Sequence, residues 1–420
     1  MKKVSQLHVF RALASRNFTL YFFGRAVSQF GTWMQRTAVL WVVYSLTHSP
    51  FLLGVTVFAE QFPSFLFSIP GGVATDRYNR YTIIKITQVI SMIQAMLLAV
   101  LVISGHTMIW AILLLSVILG IINAFDVPAR QTLLHDVVDS PADLPNAVSL
   151  TTATASLAQL LGPALSGVVL SVFGAGVCFL LNAASFGAVI LSLLLMKLPV
   201  YQPQKIHKKV IAEFAEGIAY VKNTPEIGLV VVMLAMVSLL VLPYNTVLPV
   251  FAKVVFKGGA ATFGYINSFA GIGAVTGTIF IASRKAGTHL KRILFISNVL
   301  LGAGLICFSQ IKSFPIAMFF IIIVGFGAIA QYTVSNIIVQ SDAAPAMRGR
   351  AIGILLMAIF GMSPLGSLLT GAVSQRIGAP ATVLAQGIIA VVIALIFIKF
   401  LMRPAKKLNT EQVATEISNT

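Results

Sequence analysis

The sequence predicts an all-α integral membrane protein of twelve transmembrane helices in two six-helix halves, and three observations carry that prediction. Of its 420 residues 58% are hydrophobic and only 10% are Asp, Glu, Lys or Arg, against about a quarter in soluble domains. The deficit is organised: none of those four types occurs from Ile86 to Phe125, Leu144 to Met196, Ile227 to Ala252, Gly258 to Ser283 or Ser313 to Ser341. A helical crossing takes about 20 apolar residues, so each run crosses a bilayer once and the first two can cross twice. Finally, the longest polar interruption, about 198–225, lies near the chain midpoint, and a shift of 204 residues superposes Gly162, Gly167, Gly174 and Ala175 on Gly366, Gly371, Gly378 and Ala379. That shift pairs the fifth crossing with the eleventh, as two six-helix halves require.

Proline, glycine and charge punctuation places the crossings near 18–45, 51–74, 81–103, 108–128, 143–172 and 175–197, then 226–252, 261–283, 292–310, 314–340, 349–373 and 379–402. The organisation that follows is a first bundle at 1–197, a cytoplasmic linker at 198–225, a second bundle at 226–402 and a cytoplasmic tail at 403–420. If the first helix runs outward, the inner segments hold 23 basic residues and the outer loops 4, which puts both termini in the cytoplasm. In the linker, Val210, Phe214, Ile218 and Val221 recur at helical spacing with Lys208, Lys209 and Glu213 elsewhere on the turn, the pattern of an amphipathic helix on the inner membrane surface.

Several classes are excluded. A net charge of +17 would raise the question of nucleic acid in a soluble protein, but here the basic residues sit in short connections between apolar runs. Cys178 and Cys307 both lie within apolar runs, so neither a disulfide framework nor a metal site is expected. No cleaved signal peptide is read in the first seventeen residues, which lack a short apolar core and cleavage site. A nucleotide loop of the form Gly-x-x-x-x-Gly-Lys-Ser/Thr is missing, arguing against direct ATP drive. No cofactor is expected, and no His/Glu metal constellation suggests an enzyme.

Between the second and third crossings stands Gly71-Gly72-Val73-Ala74-Thr75-Asp76-Arg77-Tyr78-Asn79-Arg80. It resembles the Gly-x-x-x-Asp-Arg-x-x-Arg signature of the major facilitator superfamily. Gly31-Thr32-Trp33-Met34-Gln35, Phe125-Asp126-Val127-Pro128-Ala129-Arg130-Gln131 and Gly162-Pro163-Ala164-Leu165-Ser166-Gly167 are similar to segments of its drug:proton antiporter branch, which includes enterobactin exporters and macrolide efflux pumps. The chain departs from those motifs at Tyr81, where a second basic residue is usual, at Ser166, where a glycine is usual, and at Ala158.

Gly72 is read as a point of close helix approach, and Asp76 and Arg80, four apart, as a pair if the connection is helical. The resemblance implies a latch in which Asp76 caps the N-terminus of helix eleven and Arg80 pairs with an acid at the end of helix four, for which Asp126 is the candidate, with Arg77 and Arg130 in the cluster. The alternative is that Arg77 and Arg80 anchor to anionic headgroups.

Ionisable groups within crossings are functional hypotheses by default, and Arg25, Arg36 and Glu60 are the clear examples. Arg25, Ser28, Gln29, Thr32 and Arg36 form one polar stripe at 100° per residue. Arg36 and Glu60 lie equally far from the hairpin turn near His48, about 18 Å at 1.5 Å per residue. They should pair, either to couple transport through protonation of Glu60 or as a static structural pair. The resemblance places helices one, four, seven and ten around a cavity, making Gln29, Thr32, Asn123, Tyr244, Asn245, Gln331, Tyr332, Ser335 and Asn336 lining candidates. Pro243, Pro249 and Pro364 would free carbonyls where helices bend.

These readings point to a monomeric secondary transporter in a bacterial-type inner membrane. It would use the proton gradient to export a hydrophobic or amphipathic small molecule, a drug or siderophore. The alternatives are uptake of a siderophore or lysophospholipid, or a non-transporting membrane sensor.

Overall fold

The structure, a computed structural model, describes residues 8–197, 210–284 and 289–401. Lys208, Lys209, the linker segment 198–209 and the tail 403–420 lie outside the described residues. The described chain is helical, with α1 (Arg16–Thr47), α2 (Pro50–Leu66), α3 (Ser68–Arg77), α4 (Arg80–Ile103), α5 (Ile109–Val137), α6 (Leu144–Phe173) and α7 (Ala175–Leu195) in the first half. After α8 (Val210–Asn223) come α9 (Pro225–Leu240), the short α10 (Leu248–Val250), α11 (Ala260–Ala282), α12 (Leu290–Gln310), α13 (Phe314–Asp342), α14 (Arg348–Ile377), α15 (Ala379–Ile396) and α16 (Ile398–Leu401).

Helix ends follow local chemistry. The Ser15 hydroxyl accepts from the Phe18 N–H to open α1, and His48 in a left-handed conformation closes it. One residue on, the Ser49 hydroxyl accepts from the Leu52 N–H to open α2, which makes a tight hairpin. The second crossing, expected as one helix, bends by 46° between α2 and α3. Pro70 has no N–H to give the Leu66 carbonyl, and the helix breaks at that turn. Proline also breaks the seventh crossing, which passes from α9 into a 3-10 turn at Leu242–Val247 and a π turn at Phe251–Val255, around Pro243 and Pro249. By contrast α14 continues through Pro364 without a break. Beyond its expected end at 128, α5 runs on to Val137.

By length and apolarity ten described helices can cross a membrane, and the bent α2–α3 pair makes eleven. The polar stripe keeps α1 off that count. At 32 residues it is nevertheless about 48 Å long. It runs antiparallel along α7, with Gly24 against Ser192 and Gly31 against Asn182 and Ser185, so it shares the depth of a spanning helix and is the twelfth.

The two halves repeat each other's packing. In the first, α1 packs on α6 and α7, α2 on α5, and α4 on α5 and α7; in the second, α9 packs on α14 and α15, α11 on α13, and α12 on α13 and α15. Between halves α2 meets α14 and α6 meets α11. Gly54 lies against Gly371, and Gly167 against Gly264, two crossings that exchange under the repeat. Trp41 stacks on Phe263 nearby. Further along, Gln61 is 3.3 Å from Ser363 and Phe65 packs on Gly361. Past that level Leu66 to Pro70 are exposed, and Gly72, Gly349 and Gly353 have open space beside them. The halves therefore close at the end remote from α8 and part toward it, leaving a cleft.

The linker helix does not lie free on a surface. It is seated on the second half: Gly217 rests on the Arg350 stem, Glu216 pairs with Arg350 at 2.7 Å, Val221 is buried, and the Tyr220 hydroxyl accepts from the Ala344 N–H at 3.0 Å.

Candidate functional site

The small residues Gly24 and Gly31 fix which side of α1 faces α7, and the polar stripe lies about a quarter-turn away. Its members Arg25, Gln29, Thr32 and Arg36 are all half-exposed. Phe23 and Val27, the exposed apolar residues of the same stretch, lie on the opposite side. The stripe thus faces the cleft and its flanking helices α2 and α5, not lipid. Thr32 donates its hydroxyl to the Ser28 carbonyl at 2.9 Å, and Ser28 itself is buried toward α7.

Arg36 Nε donates to Glu60 Oε1 at 2.7 Å, and the guanidinium stands over the Trp33 ring, 5.4 Å from its centroid. The side chains are 37% and 17% exposed. The ion pair is therefore part-buried, with its exposed side on the polar stripe of α1. An opposite charge and an aromatic face both favour retaining the guanidinium at this depth.

A second cluster lies nearer α8's end of the molecule. Asp126, 1% exposed, accepts at Oδ1 from Thr87 Oγ1 and Gln88 Nε2, both at 2.9 Å. Its Oδ2 pairs with Arg130 one turn along α5. Arg25 stands within Coulombic reach of Arg130, as does Tyr21.

Asp126 is thus not the partner of Arg80. Arg80 reaches Asp136, with Nη1 3.2 Å from Oδ2, because α5 extends past the expected end and carries Asp136 back beside the start of α4. Nor is Gly72 the close-packed glycine: a side chain there would meet nothing, whereas one on Gly71 would run into the Ala124 carbonyl of α5. Asp76 and Arg77 are exposed. The chain leaves helical geometry at Tyr78, which is extended, so Asp76 and Arg80 lack the one-turn helical spacing that the sequence reading required.

Other candidates divide. Asn123 is half-buried and Asn245 exposed, while Asn336 accepts from Gln340 one turn on. Tyr244, Ser335 and Gln331 are buried, and neither amide atom of Gln331 finds a partner among the described residues. In the helix-five motif, Gly162 receives Trp33, Pro163 and Gly167 abut Gly264 of the other half, and Ser166 donates to the Met34 carbonyl at 3.0 Å. That bond gives the Ser166 departure a structural use.

Gln94 and Asn182 were not singled out in the sequence, and Gln35 only as the last residue of the helix-one motif. Gln35 donates to Gln94 at 3.0 Å, Asn182 donates to Gln35 at 2.8 Å, and Gln94 donates to the Leu115 carbonyl at 3.2 Å, tying α1, α4, α5 and α7 together. Polar amides inside apolar runs were the available signal. Thr87 and Gln88 carried the same signal.

The chain matches the profile of the family described as transmembrane secretion effector over residues 8–418. It is 28% identical over 392 residues to the staphyloferrin A transporter of Staphylococcus aureus, covering 90% of this chain and 95% of that one. To the multidrug efflux pump Tap of Mycolicibacterium fortuitum it is 23% identical, covering 87% and 91%. Among solved structures, the nucleoside transporter NupG superposes with a TM-score of 0.71 at 16% identity over 92% of this chain and all of that one. A bacterial homolog of the lysosomal transporter Spinster superposes at 0.69 and 15%, over 92% and 96%.

Proposed function

The chain belongs to the transmembrane secretion effector family of the major facilitator superfamily, and from that premise we propose that it exports an amphipathic small molecule, a drug or siderophore, in exchange for entering protons. The observation that carries the coupling is the Arg36–Glu60 pair, placed mid-helix and part-buried. Protonating Glu60 would release Arg36, whose own charge does not titrate, and so link a proton to a rearrangement at the cleft wall. The basic residues gather at the α8 end of the molecule, which supports cytoplasmic termini in a bacterial inner membrane. On that orientation the arrangement described is open to the cytoplasm. The names of the relatives, a siderophore transporter and a multidrug efflux pump, support the substrate classes. The protein acts as a monomer in this reading, since the cleft is built by one chain.

Proton-gradient-driven flux of a panel of dyes, antibiotics and iron chelates, measured in everted and right-side-out vesicles, tests this reading. Uptake into acid-inside everted vesicles that stops when the gradient is collapsed is expected. Accumulation only in right-side-out vesicles would mean import, and flux indifferent to the gradient would remove the proton.

A further inference from the structure

Three arginines stand deep in the first half, and two have acids: Arg36 has Glu60 and Arg130 has Asp126. Arg25 has no carboxylate within salt-bridge distance among the described residues. Asp126 is engaged elsewhere, with Thr87 and Gln88 on one oxygen and Arg130 on the other. The start of the stripe is therefore a place where two guanidiniums lie within Coulombic reach of each other and only one of them has a carboxylate among the described residues, which leaves one positive charge without an acid. Lone charge inside a membrane protein is costly unless something neutralises it. Arg25 lies nine residues along α1, about 14 Å from its start at 1.5 Å per residue, half-exposed and on the cleft side.

We propose that Arg25, backed by Arg130 and the Tyr21 hydroxyl, binds the carboxylate of an amphipathic anion carried by this protein. A guanidinium offers a planar fork of donors that matches a carboxylate in two parallel hydrogen bonds. The opposite wall suits the remainder of such a molecule. In the second half the described charged residues all stand at or beyond helix ends: Glu226, Arg284, Lys291, Arg292, Asp342, Arg348, Arg350 and Lys399 on one side and Lys253, Lys257, Lys312 and Arg376 on the other. An anion would thus be held on the first half, and its apolar body would meet an uncharged wall across the cleft. A cation would be repelled from the same place.

This inference names the substrate class for the transport reading above, and equilibrium binding tests it without requiring flux. Full-length protein in phosphatidylcholine nanodiscs is titrated with fluorescein, which carries a carboxylate and net negative charge, and with rhodamine 6G, a cation on the same xanthene frame. Fluorescein is expected to bind more tightly than rhodamine 6G. Arg25→Gln should weaken fluorescein about tenfold or more and leave rhodamine 6G unchanged or tighter, and Arg25→Lys should lose less. Lys85→Gln, which removes a cation that instead stands over the Tyr81 ring, should change neither, and retained rhodamine binding by Arg25→Gln shows that the variant is folded. Equal weakening of both dyes, or none, overturns the proposal. Loss of the fluorescein preference when phosphatidylglycerol is included would give Arg25 to a lipid headgroup and overturn it as well.

Discussion

Residue by residue, the ion pairs differ in what their loss should cost. Asp126 is sealed in and holds Arg130, so Asp126→Asn leaves a cation without its acid in a poorly hydrated place. The expected outcome is a destabilisation of about 3 kcal/mol, read as a lowered thermal midpoint and lower folded yield in detergent. Asp136 is 38% exposed, and Asp136→Asn should destabilise by about 1 kcal/mol or less, a smaller drop in the same midpoint. Glu60→Gln should retain substrate binding and abolish gradient-driven accumulation, and normal uphill flux in that variant would dismiss the coupling role. If the pair is purely structural, Glu60→Gln should lower yield and Arg36→Gln in addition should restore it, because neither charge is then left alone. The approach of Arg36 to Glu60 was legible in the sequence because a short hairpin turn makes depth a matter of counting. The acid opposite Arg80 was not, since choosing between Asp126 and Asp136 depends on how far α5 continues past the apolar run, and hydropathy is silent there.

Among elements, the least legible were the breaks. Pro70 and Pro243 were visible, yet a proline in a crossing either breaks it, as in α2–α3, or is absorbed, as Pro364 is in α14, depending on whether neighbouring helices and nearby polar groups satisfy the freed carbonyl. The helix-five motif acts at this scale. Gly167 meets Gly264 backbone to backbone, a closeness that any larger side chain prevents. Gly167→Val should wedge α6 from α11 and favour the arrangement open at the end remote from α8. Cysteines placed on the cleft side of that end should react with an impermeant thiol reagent several-fold faster in this variant than in the parent, and an unchanged rate would show that the crossing is no seal. The mate of this crossing, Gly54 on Gly371, should respond to Gly54→Val in the same direction, since the repeat exchanges the two.

For the whole molecule, the shift of 204 residues detected in the sequence pairs Gly167 with Gly371, and the structure shows why so faint a repeat persists: both glycines lie where the halves touch. Elsewhere the halves are free to diverge, and they have done so in charge. Among the described residues, the ionisable groups deep in the helices, Arg25, Arg36, Glu60, Asp126 and Arg130, all belong to the first half. With Arg36 and Arg130 each matched by an acid, one positive charge is left on a wall that, in the transport reading proposed above, faces alternate sides of the bilayer in turn. Membrane voltage acts on such a charge with about 2.3 kcal/mol per 100 mV if it traverses the whole field. A substrate-free carrier would move that charge together with the proton taken up on Glu60 when it reorients, and a carrier loaded with a monoanion would move none. Charge displacement recorded from proteoliposomes on a solid-supported membrane should therefore show a voltage-sensitive return step that Arg25→Gln reduces, so that the cell's electrical polarity, as well as its proton gradient, would set which way the unloaded cleft rests.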